Sequence, residues 1–151
     1  MPKINNLVNI VNAENLSRAM MELYDFICKY DFSELTDPQK HFYFNQQLEN
    51  AVNMDGFYLF FWNSTGEFAV EAIQSLTAIG AFHTRAIVQK AIDQFPGSYV
   101  PKDEVKRQVL MQQIEDTASD IWNGLDQEFY EYKDNLNQLN IEYVRKNSSS
   151  F

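Results

Sequence analysis

The 151-residue sequence predicts an all-α fold, a single compact helical domain of about six to eight helices over residues 1–147. Apolar residues recur at spacings of three and four along most of the chain, as they do on one face of a helix. Only five glycines and four prolines occur, and they fall between these stretches, where they end helices. A hydrophobic fraction of 45% supplies a core at this length.

The first third of the chain predicts two helices separated by a turn. The spacing of its apolar residues predicts a helix over residues 13–30. Asp37 and Pro38 are suited to the N-cap and first position of a second helix, which we expect over residues 38–52. Gly56, after Asp55, is predicted to end that helix.

An aromatic segment at 57–62 follows, and it is too short for its periodicity to distinguish a strand from a short buried helix. The helix is favoured because the sequence offers no partner strand. A turn is predicted at 64–66, and a helix at 67–79, with Gly80 as the residue that ends it.

Three more helices are predicted at 82–95, 103–117 and 126–145, and the last has the clearest pattern. Its apolar residues step by four and three, which predicts a seam that either packs into the core or contributes to a homodimer. We expect residues 148–151 to form a disordered tail. The seam consists of Leu125, Phe129, Tyr132, Leu136, Leu139 and Tyr143.

The sequence shows no catalytic apparatus, so the protein is predicted not to be an enzyme and to need no cofactor. His41 and His83 occur in no metal-ligand spacing, which predicts no metal site. Cys28 lacks the context of a nucleophile and is predicted to be a buried structural residue. One alternative stays open: a small-molecule-binding domain or uncharacterised enzyme with an aromatic pocket near Phe57–Asn63.

The sequence also predicts a cytoplasmic protein without membrane contact. Its first fifteen residues lack a long apolar segment, and the longest apolar run, Phe57–Trp62, is too short to span a bilayer. A single cysteine fits a reducing compartment.

The net charge of −9 and the pI of about 4.6 argue against direct binding of nucleic acid, because the protein and the nucleic acid are both polyanions at neutral pH. Two interpretations of the charge remain. Acidity keeps many proteins soluble, and it also suits a protein that binds a basic partner.

The negative charge is concentrated between Glu115 and Glu142, where eight acidic residues accompany one base, Lys133. Two or three helices with carboxylates at i, i+3 side by side would approximate a row of phosphates, so one hypothesis is a basic, DNA-binding protein as partner, and solubility is the other. On the predicted last helix, three of these acids recur every third residue on one face. A further acidic set flanks the aromatic segment without any base: Glu49, Asp55, Glu67 and Glu71. The predicted contact residues are Glu115, Asp116, Asp120, Asp126, Glu128, Glu131 and Asp134.

Two blocks of sequence, LENAVNMDGFYLFFWNSTGEFAVEAIQSLTAIGA at 48–81 and LDQEFYEYKDNLNQLNIEYVRKN at 125–147, resemble a small bacterial family named for an acidic DNA-mimic protein. The sequence departs from the family pattern in two places: Met54-Asp55-Gly56 stands where Asn-Gly-Gly is expected, and Leu59 stands where a glutamine is expected. The residues that carry the signature here are Gly56, Phe57, Phe60, Asn63, Gly66 and Gly80.

That resemblance implies an all-helical, dimeric protein that occupies the DNA-binding face of a transcription factor. It also implies that the aromatic segment is core and turn, and that the active surface lies elsewhere.

Overall fold

The described part of the protein, residues 2–151 of a computed structural model, forms seven α-helices and no strand. The predicted all-α class and the predicted number of helices are therefore confirmed. Short 3-10 turns occupy several of the connections between helices. The helices are α1 (Leu7–Val11), α2 (Leu16–Ile27), α3 (Asp37–Trp62), α4 (Ala69–Ile79), α5 (Phe82–Ile92), α6 (Glu104–Tyr130) and α7 (Leu136–Lys146).

The two longest helices, α3 and α6, form the centre of the molecule and run antiparallel. Later residues of α3 contact earlier residues of α6: Phe57 is bonded to Asp126, whereas Trp62 is bonded to Gln108. Helices α4 and α5 pack beside them and enclose the larger core. Trp122 of α6 is fully buried there, and its indole N–H donates to the Ala91 carbonyl at 3.0 Å.

A second, smaller core joins the two ends of the chain. Apolar residues of α1 and α2 pack there against α7 and the start of α3. Phe151 is 2% exposed, with its ring 6.1 Å from that of Phe42, and Thr36 donates to the Ser150 carbonyl at 2.9 Å. The structure differs here from the expected disordered tail, because a terminal aromatic ring has an apolar site to fill.

Helix α3 begins with a capping box and continues through the aromatic segment. Thr36, rather than the predicted Asp37, is the N-cap: its hydroxyl accepts from the Gln39 N–H, and the Gln39 side chain accepts from the Thr36 N–H. The predicted break is a kink at Gly56, after which the chain resumes helical geometry. The helical interpretation of residues 57–62 is thus confirmed.

The predicted boundaries of the last two helices are wrong. Helix α6 runs on to Tyr130, the chain turns at Tyr132 with a φ of 47°, and α7 begins after the N-cap Asn135, whose side chain accepts from the Gln138 N–H. The seam is divided between two helices, and Leu125 and Leu136 of the seam are buried in the protein's own core. A homodimer would therefore need a different surface.

Within residues 2–151, no helix combines the length and the apolar character needed to cross a membrane.

Candidate protein-interaction surface

The packing of α3 against α6 brings together acidic residues that are far apart in sequence. No lysine or arginine occurs at 41–62 of α3 or at 108–130 of α6. We call the acids that lie along this helix pair the acidic face. Its members are Asp55, Glu115, Asp116, Asp120 and Asp126.

None of these carboxylates forms an ion pair within the described residues. The ion pairs found there join Arg18 to Glu22, Lys102 to Glu71, and Lys133 to Glu131. Asp116 and Asp120 are exposed and lie one turn apart on the outer side of α6. Their charge is therefore free to meet a partner's cations.

Asp126 also has a structural role in the acidic face. Its Oδ1 accepts a hydrogen bond of 2.8 Å from the Phe57 N–H, an amide that the kink at Gly56 leaves without a helical acceptor. Burial raises the pKa of this carboxyl, and the bond from Phe57 opposes the rise. Asp126 is thus half-buried and holds the kink in place.

Gly56 is required at the kink for two reasons. Its φ of 83° and ψ of 177° lie in a region that is essentially restricted to glycine. A Cβ there would meet Asp126 Oδ2 and lie 3.0 Å from Cγ. Gly56 thus allows the backbone conformation in which the Phe57 N–H donates to Asp126.

The three acids predicted to share one face of a last helix do not do so, and that prediction is wrong. Glu128 lies in α6, roughly 200° around the helix from Asp126. Glu131 is the C-cap of α6, and its carboxylate lies 3.6 Å from Lys133 Nζ. Asp134 lies in the connection to α7, where it accepts from the N–H and the hydroxyl of Thr84 at 2.8 and 3.0 Å. Asp134 therefore satisfies the first turn of α5.

Tyrosines lie between the carboxylates of the acidic face. Burial and the neighbouring Glu115 carboxylate raise the pKa of Tyr58, whose ring stacks on Trp62 with centroids 5.9 Å apart. Burial, with Asp126 and Asp55 nearby, raises the pKa of Tyr130. The Tyr130 hydroxyl donates to the Val52 carbonyl at 2.9 Å, and 41% of this residue is exposed.

The acidic face ends at a cluster that ties the α6–α7 connection to α3. Tyr132 donates its hydroxyl to Glu49 Oε1 at 3.0 Å and accepts from the Asn53 amide. Burial raises the pKa of Glu49, and the bond from Tyr132 opposes the rise. Burial and the Glu49 carboxylate raise the pKa of Tyr132 to about 12, and the bond from Asn53 opposes the rise. Glu49 is thus an anchor for the connection.

A buried arginine, missed at the level of sequence, holds the other end of the helix pair. Arg107 is 0% exposed and donates to four backbone carbonyls, including Asn63 at 2.8 Å and Pro101 at 3.0 Å. A Cβ on Gly66 would meet the Phe61 carbonyl and lie 2.6 Å from Arg107 Nε, so the signature residues Asn63 and Gly66 surround this guanidinium. No pattern in the sequence separates this arginine from a surface one.

The aromatic segment fills the core instead of lining a pocket. Phe57 and Phe61 are 0% exposed and Phe60 is 2% exposed, packed against Phe95, Trp122 and other core residues. Gly80, the remaining signature residue, ends α4 with a φ of 78°. The structure thus offers no support for the alternative of an aromatic binding pocket.

Cys28 and the arrangement of the metal-ligating residue types bear on catalysis and metal binding. Cys28 is exposed, so its predicted burial is wrong; the residue ends α2 on the solvent side. Among residues 2–151, no group of three or more histidine, cysteine, aspartate or glutamate side chains is placed to hold a metal ion.

These observations define an acidic all-α protein with an uncompensated carboxylate surface on its central helix pair. Residues 33–147 match the family model described as DMP19-like protein, and the chain belongs to that family. The matched region begins before α3 and ends after α7, so it contains the acidic face and the whole signature. No curated protein and no solved structure matches the chain significantly.

Proposed function

We propose that this protein is a non-enzymatic interaction protein that imitates DNA, and that its acidic face occupies the DNA-binding surface of a basic partner such as a transcription factor. The observation that carries the proposal is the union of α3 and α6 into one surface of carboxylates without a base. Family membership and the net charge of −9 agree with it.

The density of acids on α6 supports this role. Between Glu115 and Asp126, α6 rises by roughly 16 Å and carries four carboxylates, at intervals that average about 5.5 Å along the helix axis. One strand of DNA carries a phosphate about every 3.4 Å along its axis. The linear charge density of this part of α6 is thus roughly 60% of that of one DNA strand, while duplex DNA itself is repelled.

The first experiment is a pull-down from native lysate at low salt, followed by elution with a salt gradient and identification of the bound proteins. We expect one DNA-binding protein to be enriched, released at moderate salt and displaced by duplex DNA. Recovery of no protein, or of many basic proteins without preference, would contradict the proposal. It would indicate that the acidity serves to keep the protein soluble.

Two variants of equal net charge test the surface itself. Glu115→Gln with Asp116→Asn and Asp120→Asn removes three charges from the acidic face. The matched control, Glu14→Gln with Asp25→Asn and Glu142→Gln, removes three exposed charges elsewhere. We expect the first variant to lose the partner and the control to keep it, with unchanged helix content in both. Equal loss in both variants would show that net charge alone is responsible.

The choice of residues follows from the structure. Asp134 and Asp126 accept backbone hydrogen bonds, so their replacement would change the fold together with the surface. Asp116 and Asp120 form no hydrogen bond in the described structure through their side chains and are exposed, so their loss reports on binding.

A further inference from the structure

The acidic face alternates carboxylates with aromatic rings, and this bears on which cation it accepts. Asp126 and Tyr130 lie one turn apart on α6. The ring of Tyr58 contacts Trp122, which lies two turns from Glu115 on the same side of α6. A row of carboxylates alone would attract lysine and arginine alike. Ring faces next to carboxylates add a second kind of contact.

The tyrosine rings are held rigidly. The Tyr130 hydroxyl is bonded to the Val52 carbonyl, which fixes the polar end of the side chain while 41% of the residue stays exposed. Tyr58 is held by its parallel stacking on Trp62, at an interplanar angle of 12°, and by an edge contact with Trp122. Binding against such rings loses little side-chain entropy.

We propose that the acidic face selects arginine over lysine, so that the partner's contacts with it are made by guanidinium groups; this rests on the proposed function. A guanidinium is planar, so it can stack on a tyrosine ring while its N–H groups bind the adjacent carboxylate in a forked geometry. An ammonium is a compact, strongly hydrated charge and lacks the forked contact. The cations that balance the acidic face come from the partner, because residues 41–62 and 108–130 contain no lysine or arginine.

The test uses two synthetic peptides, octa-arginine and octa-lysine, titrated against the full chain at the same ionic strength. Polyarginine binds many acidic surfaces somewhat more tightly, so the decisive quantity is the ratio of the two affinities in matched variants. Tyr130→Leu and Tyr58→Leu each remove one ring of the acidic face. Tyr99→Leu removes an exposed ring beside Lys102, away from the acidic face, and is the control.

We expect octa-arginine to bind more tightly to the wild type, and each ring of the acidic face to contribute about two- to fivefold to the ratio. The ratio should fall by that factor in Tyr130→Leu and Tyr58→Leu, with octa-lysine affinity nearly unchanged, and should stay at the wild-type value in Tyr99→Leu. Circular dichroism establishes that each variant is folded, and either of the two face variants is sufficient for the test.

Salt-dependent binding with the same ratio in all four proteins would overturn the arginine preference and leave the proposed function standing. Failure of both peptides to bind the wild type at low salt would overturn both.

Discussion

Replacing Gly56 with alanine should destabilise the protein strongly, because the kink in α3 depends on this glycine. The backbone region that Gly56 occupies costs other residues about 1–3 kcal/mol. The added Cβ would also displace the Asp126 carboxylate, and the loss of its bond to the Phe57 N–H costs about 1.5–3 kcal/mol more. We expect the free energy of unfolding to fall by roughly 3–5 kcal/mol.

Urea denaturation followed by circular dichroism measures this change, and two other glycines serve as controls. Gly97 also has a positive φ, 65°, but a Cβ there meets nothing within 4 Å, so Gly97→Ala isolates backbone strain at about 1 kcal/mol. Gly124 lies within α6 in open space, and Gly124→Ala should stabilise by about 0.5–1 kcal/mol. A Gly56→Ala variant no less stable than Gly97→Ala would refute the role assigned to Asp126.

Two further predictions concern buried ionisable groups. Arg107→Lys should lower the free energy of unfolding by about 2–4 kcal/mol, because an ammonium cannot reach all four carbonyls that the guanidinium binds; a loss below 1 kcal/mol in the same assay would contradict this. Glu49→Gln tests the raised pKa of the Glu49 carboxyl. The folded chain keeps the proton of this carboxyl to a higher pH than the unfolded chain does. The free energy of unfolding of the wild type therefore falls as the pH rises from about 4.5 through the folded pKa. The variant should lack that part of the fall, and therefore gain stability relative to the wild type between pH 4 and pH 7, whereas the exposed control Glu142→Gln should follow the wild type.

The helices that sequence predicts well are those whose ends carry local signals. Gly80 ends α4 where its left-handed conformation is needed, and the Thr36–Gln39 capping box starts α3 within one residue of the predicted cap. Such signals act between neighbours in sequence, so they are readable without the fold.

The last two helices were misplaced because the heptad spacing of the seam continues across the break. The seam residues other than Tyr132 do face the core, but from two helices, and Tyr132 lies in the turn between them and is 38% exposed. A local signal for the new helix was present, since Asp134 and Asn135 precede Leu136 as N-cap residues commonly do. The bonds that fix the turn, from Tyr132 to Glu49 and from Thr84 to Asp134, join residues 83 and 50 positions apart.

The candidate surface was also predicted from the sequence only in part. The concentration of acids between Glu115 and Glu142 was predicted, whereas the assignment of three of them to one helical face was wrong. The contribution of Tyr58 and Tyr130 was not foreseen. Asp126 and Asp134 look alike in the sequence, yet both accept backbone hydrogen bonds that only the packed structure supplies.

The sequence by itself determined the helical class, the acidity, and the absence of any base from residues 41–62 and 108–130. These follow from composition and from short-range periodicity, which need no knowledge of which elements meet. Only the tertiary structure decided that these two stretches lie side by side, that their carboxylates enclose tyrosine rings, and which acids remain free. Those properties depend on contacts between residues some 60–80 positions apart, which local sequence signals do not specify, around the core that contains Phe57 and Trp122.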